Sequence, residues 1–314
     1  LIDEITSVYD VDSDGYNLNS FELVDNVEIG TLELNSDGTF EYDSENNFEE
    51  LALNETDEVS FSYYFADVHD ELSDTSIITI IINGENDAPE SYNLNLEMDE
   101  DSIISSSVPT ATDIDNDGIN TNGYQLIEDV NLGSLIFNSD GSFVFDTHDD
   151  FQNLSIGETG EVFFTYIVRD INGLQSNISQ ITITITGVND YPITYNSNFN
   201  TSEDSILVGN VLEAFDVDND GFDSTGYFLI DDVSLGSLEF YGDGSFIYNP
   251  ENDYQYLHLN ESSDITFSYS VIDVNNAVSD TSIITITING ENDAPVILTN
   301  QTDLYPGFGD TQYN

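Results

Sequence analysis

The sequence predicts an all-β protein, built as tandem antiparallel Greek-key β-sandwiches of about seven strands each and arranged as an elongated rod. Three observations predict it. Landmark motifs recur at a fixed offset of 103 residues, apolar residues between them alternate with a period of two, and Asp-Gly turns separate the apolar runs. The offset organises the rest. Asn86-Asp87-Ala88-Pro89 returns as Asn189-Asp190-Tyr191-Pro192 and as Asn292-Asp293-Ala294-Pro295. Asp10-Val11-Asp12-Ser13-Asp14-Gly15 returns as Asp113-Ile114-Asp115-Asn116-Asp117-Gly118 and as Asp216-Val217-Asp218-Asn219-Asp220-Gly221. Gly30, Gly133 and Gly236 keep the same spacing. Three copies without insertion or deletion imply three near-identical domains, bounded at 1–89, 90–192 and 193–295, with 296–314 either the start of a divergent fourth repeat or a strand-donating tail. Three of the 6 prolines lie in the Asn-Asp-x-Pro segments, which marks these as stiff domain junctions.

The third copy shows the strands most clearly. Ile265, Phe267, Tyr269 and Val271 alternate with Thr266, Ser268 and Ser270, the pattern of a half-buried strand. Near the end of the copy Ile284, Ile286 and Ile288 face in while Thr285, Thr287 and Asn289 face out. Before the first of these runs, Leu238-Glu239-Phe240 and Phe246-Ile247-Tyr248 flank a turn at Gly242-Asp243-Gly244. Asp-Gly supplies the positive φ of a tight hairpin and recurs at Asp37-Gly38 and Asp140-Gly141. No stretch carries a helical period.

Composition narrows the function. Asp and Glu number 63 against one basic residue, Arg169, for a formal net charge of -62. Charge that lopsided favours disorder through self-repulsion, yet 39% of residues are hydrophobic and 12% aromatic, which is core-forming material. The two facts agree if the carboxylates are solvated on strand faces and partly neutralised by bound cations. Without a basic patch the phosphate-contact energy that drives nucleic-acid binding is missing, and anionic membrane surfaces repel the chain. No apolar run approaches the roughly 18 residues that span a bilayer. Zero cysteines exclude disulfides and thiolate zinc sites.

Asp-x-Asp-x-Asp-Gly supplies the closely spaced oxygens that a hard cation such as calcium prefers. A single copy in a chain this acidic reads as a solvated loop; three copies in register point to a calcium site. An EF-hand needs Glu at its twelfth position, where this chain has Phe21, Tyr124 and Tyr227.

The arrangement resembles another family. Ala111-Thr112-Asp113-Ile114-Asp115-Asn116-Asp117-Gly118, with Asn120 beyond it, resembles the Ala-x-Asp-x-Asp-x-Gly-x-Asn segment of cadherins. Asp170-Ile171-Asn172-Gly173 is similar to the loop before the cadherin's last strand, and Asn189-Asp190-Tyr191-Pro192 to its inter-domain linker. The chain thus resembles, from residue 1 to about 295, the cadherin-like tandem repeats of large bacterial surface adhesins. The Leu-Asp-Arg-Glu motif of animal cadherins is absent. The resemblance implies cadherin/Ig-like sandwiches with Ca2+ shared at the junctions. For the first junction it implicates Asn86, Asp87, Asp113, Asp115 and Asp170. For the second it implicates Asn189, Asp190, Asp216, Asp218 and Asp273, with Glu100 and Asp101 from the start of the preceding repeat. Glu203 and Asp204 serve the third with Asn292 and Asp293. The extra aspartates Asp14, Asp117 and Asp220 either add to these sets or bind within their own loops, and Asp10, Asp12 and Asp67 are the metal candidates of the first copy.

Function follows from that chemistry. Ions bridging adjacent domains turn a flexible string into a stiff, extracellular, cell-surface rod whose partners are neighbouring repeats of the same or an identical chain. Enzymatic activity is not expected. His69, His148 and His258 occupy different positions in the repeat, no Gly-rich phosphate loop follows a strand, and carboxylate pairs arise by chance among so many acids. Two non-enzyme readings stand. In one, the repeats extend an adhesin of bacterial origin whose binding domain lies elsewhere. In the other, the chain is a subunit of an extracellular filament, its tail 296–314 completing the first domain of the next molecule by strand addition. By the repeat offset, residue 1 aligns with residue 104, so the first copy lacks its opening strand, and the tail carries Pro306 and Gly307 where the third copy has Glu203 and Asp204.

Overall fold

In a computed structural model of the chain, residues 1–6, 8–11 and 15–295 are described, Asp223 and Ser224 by their backbone alone. Every element among them is a strand. The chain divides into two compact units, one over Leu1–Val188 and one beginning at Asn189. The tail 296–314, on which the strand-addition reading depends, lies outside the described residues, as do Asp12 and Asp14.

The first unit holds thirteen strands in four sheets. The first pair of sheets comprises β1 (Ile2–Glu4), β2 (Glu22–Asp25), β3 (Thr31–Leu34), β4 (Thr39–Asp43), β5 (Thr56–Tyr64) and β6 (Ser76–Asn83). They run in the orders β1-β4-β3 and β2-β5-β6. The second pair comprises β7 (Leu94–Asp99), β8 (Ile103–Ser107), β9 (Gln125–Glu128), β10 (Ser134–Phe137), β11 (Ser142–Asp146), β12 (Thr159–Ile167) and β13 (Ser179–Thr186). Their orders are β7-β13-β12-β9 and β10-β11-β8. Each pair encloses its own core. Phe40, Tyr42, Phe61 and Ile80 fill the first, and Phe143, Phe145, Phe164 and Ile183 the second.

The second unit repeats the pattern with β14 (Ser197–Ser202), β15 (Leu207–Asn210), β16 (Phe222–Asp231), β17 (Ser237–Phe240), β18 (Ser245–Asn249), β19 (Ser262–Asp273) and β20 (Ser282–Asn289). Their orders are β14-β20-β19-β16 and β15-β18-β17. Phe246, Tyr248, Phe267, Tyr269 and Ile286 are sealed between the two sheets. Each such ring stabilises the fold by about 2–3 kcal/mol when fully buried, so the aromatic content explains how so acidic a chain folds.

The expected hairpin is present as β17–β18. Gly244 takes φ +80, Gly244 N–H donates to Tyr241 O at 2.9 Å, and Asp243 Oδ1 accepts from the Ser245 amide at 2.9 Å and its hydroxyl at 2.6 Å. Gly236 explains its place in the repeat: at φ +72, a Cβ there would sit 2.5 Å from Asn249 O.

Two details depart from the sequence expectation. The first concerns direction: β7 pairs with β13, and β14 with β20, in parallel. The opening segment of the second and third copies splits at a turn, Asp99–Ser102 or its counterpart Ser202–Ser205, and gives one strand to each sheet. Its first half therefore lies beside the last strand running the same way. The second concerns Ser268 and Ser270, which alternation puts outside but which are buried. Ser268 closes a bulge between β16 and β19, accepting from Asp231 N–H at 3.0 Å and donating to Asp231 Oδ2 at 2.8 Å. Ser62 and Asp25 do the same between β2 and β5.

Candidate metal centre

In the first unit the Asn86-Asp87 segment meets the acidic loop that follows β8. The loop bends through Asn116 at φ +54 and Gly118 at φ +109, and this backbone reversal gathers its aspartates instead of letting them alternate. One carboxylate oxygen from each of Asp113, Asp115 and Asp117 lies within 4.8 Å of the others. Asp170, in the loop after β12, is 1% exposed, and Asp115 is 3% exposed.

Hydrogen bonds fix the geometry from outside. Asp87 N–H donates to Asp115 Oδ2 at 3.0 Å and Asp117 N–H to Asp115 Oδ1 at 3.3 Å. Asn86 Nδ2 donates to Asp170 Oδ2 at 2.6 Å. Asp170 Oδ1 accepts from the Gly173 amide and, at 2.9 Å, from the Leu174 amide. Asn172, whose side chain the sequence reading left out of the site, donates from Nδ2 to both Asn86 Oδ1 and Asp117 Oδ2. Its counterpart Asn275 was the available signal, because the pair recurs at the repeat offset.

The charges are poorly compensated. Burial, with Asp115 first among the neighbouring carboxylates, pushes Asp113 up to about 7. Burial raises Asp117 too, reinforced by the charges of Asp115 and Asp170. At Asp115 burial acts upward, but the amides of Asp87 and Asp117 outweigh it and hold the carboxyl below its usual range. Both oxygens of Asp113 and Oδ1 of Asp117 are buried without a donor. Carboxylate oxygens buried together in this way call for a cation, and an all-oxygen donor set fits calcium rather than a softer metal.

The second unit repeats the network. Asn189 Nδ2 donates to Asp273 Oδ2 at 2.7 Å, Asp190 N–H to Asp218 Oδ2 at 2.8 Å, and Asp218 N–H to Asp216 Oδ1 at 3.2 Å. Asn275 Nδ2 donates to Asp220 Oδ2. Burial raises Asp216 and Asp220, and Asp216 Oδ2, Asp220 Oδ1 and Asn189 Oδ1 are buried without a donor.

The remaining residues divide by burial. Within the first unit Glu100 is 0% exposed, and its Oε1 accepts the Val188 amide at 2.8 Å. Glu203 does the same for Glu291 N–H at 2.7 Å, leaving Oε2 buried without a donor. Asp101 and Asp204 are exposed and accept from Gln152 and Gln255. Asn292 and Asp293 are exposed. In the first copy Asp10 Oδ2 accepts the Gly15 amide at 3.1 Å, and Asp67 Oδ1 accepts those of His69 and Glu71 at 2.7 and 2.9 Å.

Paired sheets around aromatic cores, an Asn-Asp segment tied to an Asp-x-Asp-x-Asp loop, and an Asp after the long central strand together define a tandem β-sandwich protein of the cadherin class. The family model described as bacterial cadherin-like domain matches residues 86–187 and 189–290. The chain belongs to that family. Its members are adhesive or structural extracellular modules, and cadherin-like domains generally bind calcium. Among solved structures, protocadherin γB7 EC3-6 is 17% identical, with 90% of this chain and 67% of that one covered and a TM-score of 0.51. Mouse cadherin-23 EC22-24 is 16% identical, with 92% of each chain covered and a TM-score of 0.49. The protocadherin γB4 extracellular domain is 18% identical over 88% of this chain, which spans 44% of that one, with a TM-score of 0.47. At 17% identity the likeness to protocadherin γB7 carries the fold alone. No curated protein matches the chain.

Proposed function

We propose that this chain is a calcium-stiffened extracellular spacer of a bacterial cell-surface adhesin, made of repeats at 1–89, 90–192 and 193–295. One observation carries the reading. Asp87 and Asp190, 103 residues apart, are each tied to an acidic loop in which Asp113 and Asp117, or Asp216 and Asp220, carry buried oxygens without a donor. In the first unit Asn86, Asp87, Asp113, Asp115, Asp117 and Asp170 would hold the ion. In the second, Asn189, Asp190, Asp216, Asp218, Asp220 and Asp273 would, with Glu203, Asn292 and Asp293 serving a further position. Calcium supplies the positive charge these groups lack, and its binding free energy becomes folding and orientation free energy. Among the described residues no helix is long and apolar enough to cross a membrane.

The test is a thermal melt and a small-angle scattering profile of the full chain, each in millimolar calcium and in EDTA. Calcium is expected to raise the melting temperature by several degrees and to make the scattering that of a stiffer, more extended particle. Superimposable melts and profiles would overturn the proposal.

A further inference from the structure

We propose that Asn172 is a self-modifying residue, converting to aspartate and isoaspartate through a cyclic imide and so adding a carboxylate to the acidic loop of the first unit. The chain contains four Asn-Gly pairs: Asn83-Gly84, Asn122-Gly123, Asn172-Gly173 and Asn289-Gly290. Glycine at the second position leaves the following amide open to ring closure, so local sequence favours all four. Exposure of the asparagine does not separate them, because all four are exposed.

The glycines differ. A Cβ added to Gly84, Gly123 or Gly290 would lie 2.3, 2.8 or 2.5 Å from a carbonyl oxygen of Ala52, Arg169 or His258, so each backbone is wedged against a neighbour. Their amides donate to backbone carbonyls of Glu55, Asn120 and Glu261. Gly173 is exposed, takes φ +100, and has nothing within 4 Å of its Cβ position. Its amide alone of the four donates to a carboxylate, Asp170 Oδ1. The backbone here can swing into a five-membered ring, and the base that must take the amide proton is already in contact with it.

The atoms balance with water as the only co-reactant. The Gly173 nitrogen attacks Asn172 Cγ, and its proton passes to Asp170 Oδ1. The Cγ–Nδ2 bond breaks, and Nδ2 leaves as ammonia after taking that proton back from Asp170. Water then opens the imide, at Cγ to give aspartate or at the backbone carbonyl to give isoaspartate, its hydrogen returning to the Gly173 nitrogen. Nothing is oxidised or reduced. Nδ2, which leaves, is the atom now bonded to Asn86 Oδ1 and Asp117 Oδ2, so the product sets a negative charge where a neutral donor stood.

The full chain is incubated in EDTA at neutral pH, and peptide mapping by mass spectrometry follows the mass increase at the four sites. Asn172 is expected to convert about tenfold or more faster than the other three, a threshold set below the roughly hundredfold or more that a positioned base supplies. In concentrated urea, where only local sequence remains, the four rates are expected to converge. Equal rates in the folded chain, a faster site elsewhere, or a preference for Asn172 that survives in urea would each overturn the proposal.

Discussion

Asp113→Asn should act with opposite signs with and without calcium. In the calcium-free chain Asp113 is pushed up to about 7, with burial the first cause and Asp115, Asp117 and Asp170 behind it. A carboxyl raised in the folded state favours folding below its unfolded value near 4 and progressively less as pH climbs toward 7, because the unfolded chain gives up its proton first. Apo stability therefore falls between about pH 4 and 7 and is flat above. Carrying the full displacement into free energy gives an upper bound of about 4 kcal/mol. Asp113 is only partly buried and shares its proton with Asp115, so screening leaves about 1–2 kcal/mol. At pH 7.5 in EDTA, Asp113→Asn removes that cost and should raise the melting temperature of its domain by about 4–8 °C per kcal/mol. In millimolar calcium the same change deletes a ligand, and the variant should melt below the parent. Scanning calorimetry at pH 5 and pH 7.5, with and without calcium, reads each chain under all the conditions that matter. A variant less stable than the parent in EDTA at pH 7.5, or an apo melt that does not change between the two pH values, would refute the reasoning.

Other changes probe the scaffold. Gly236→Ala puts a Cβ 2.5 Å from Asn249 O at a positive φ, and should cost about 2 kcal/mol or more in urea unfolding. Ser268→Ala removes the pair with Asp231 at the bulge and should cost about 1–2 kcal/mol by the same measurement. Asn86→Ala deletes the 2.6 Å bond to Asp170 and should free the linker; faster hydrogen exchange at the Asp87 amide, now bonded to Asp115, checks it.

The sandwich was legible because its signals are local. Alternation along Ile284, Ile286 and Ile288 and the turn at Asp243-Gly244 are satisfied within a few residues of each other. The acidic loop was legible for a different reason: its repetition at one offset distinguishes it from the many other carboxylates on the same chain. What escaped depends on partners distant in sequence. The parallel pairing of β14 with β20 joins residues 87 positions apart, and no period along either strand records it. Burial of Ser268 reflects a bulge opposite Asp231, and a hydroxyl that caps a buried bulge looks in sequence like one facing water. Asn172 was marked in sequence only by its recurrence as Asn275, which says nothing of its role; its place between Asn86 and Asp117 gives it one.

The parallel pairing has a mechanical consequence for the second unit. Its first and last strands, β14 and β20, lie side by side over six residue pairs, from Ser197 opposite Ile284 to Ser202 opposite Asn289. Tension drawn toward the two ends of the unit pulls these strands past each other along their length, so the rungs are loaded together in shear rather than opened one at a time from an end. A shackle of this kind suits a module that carries load in line. Under an optical trap the unit should rupture at a markedly higher force when pulled through its ends than when pulled across β16 and β19, which pair antiparallel and peel.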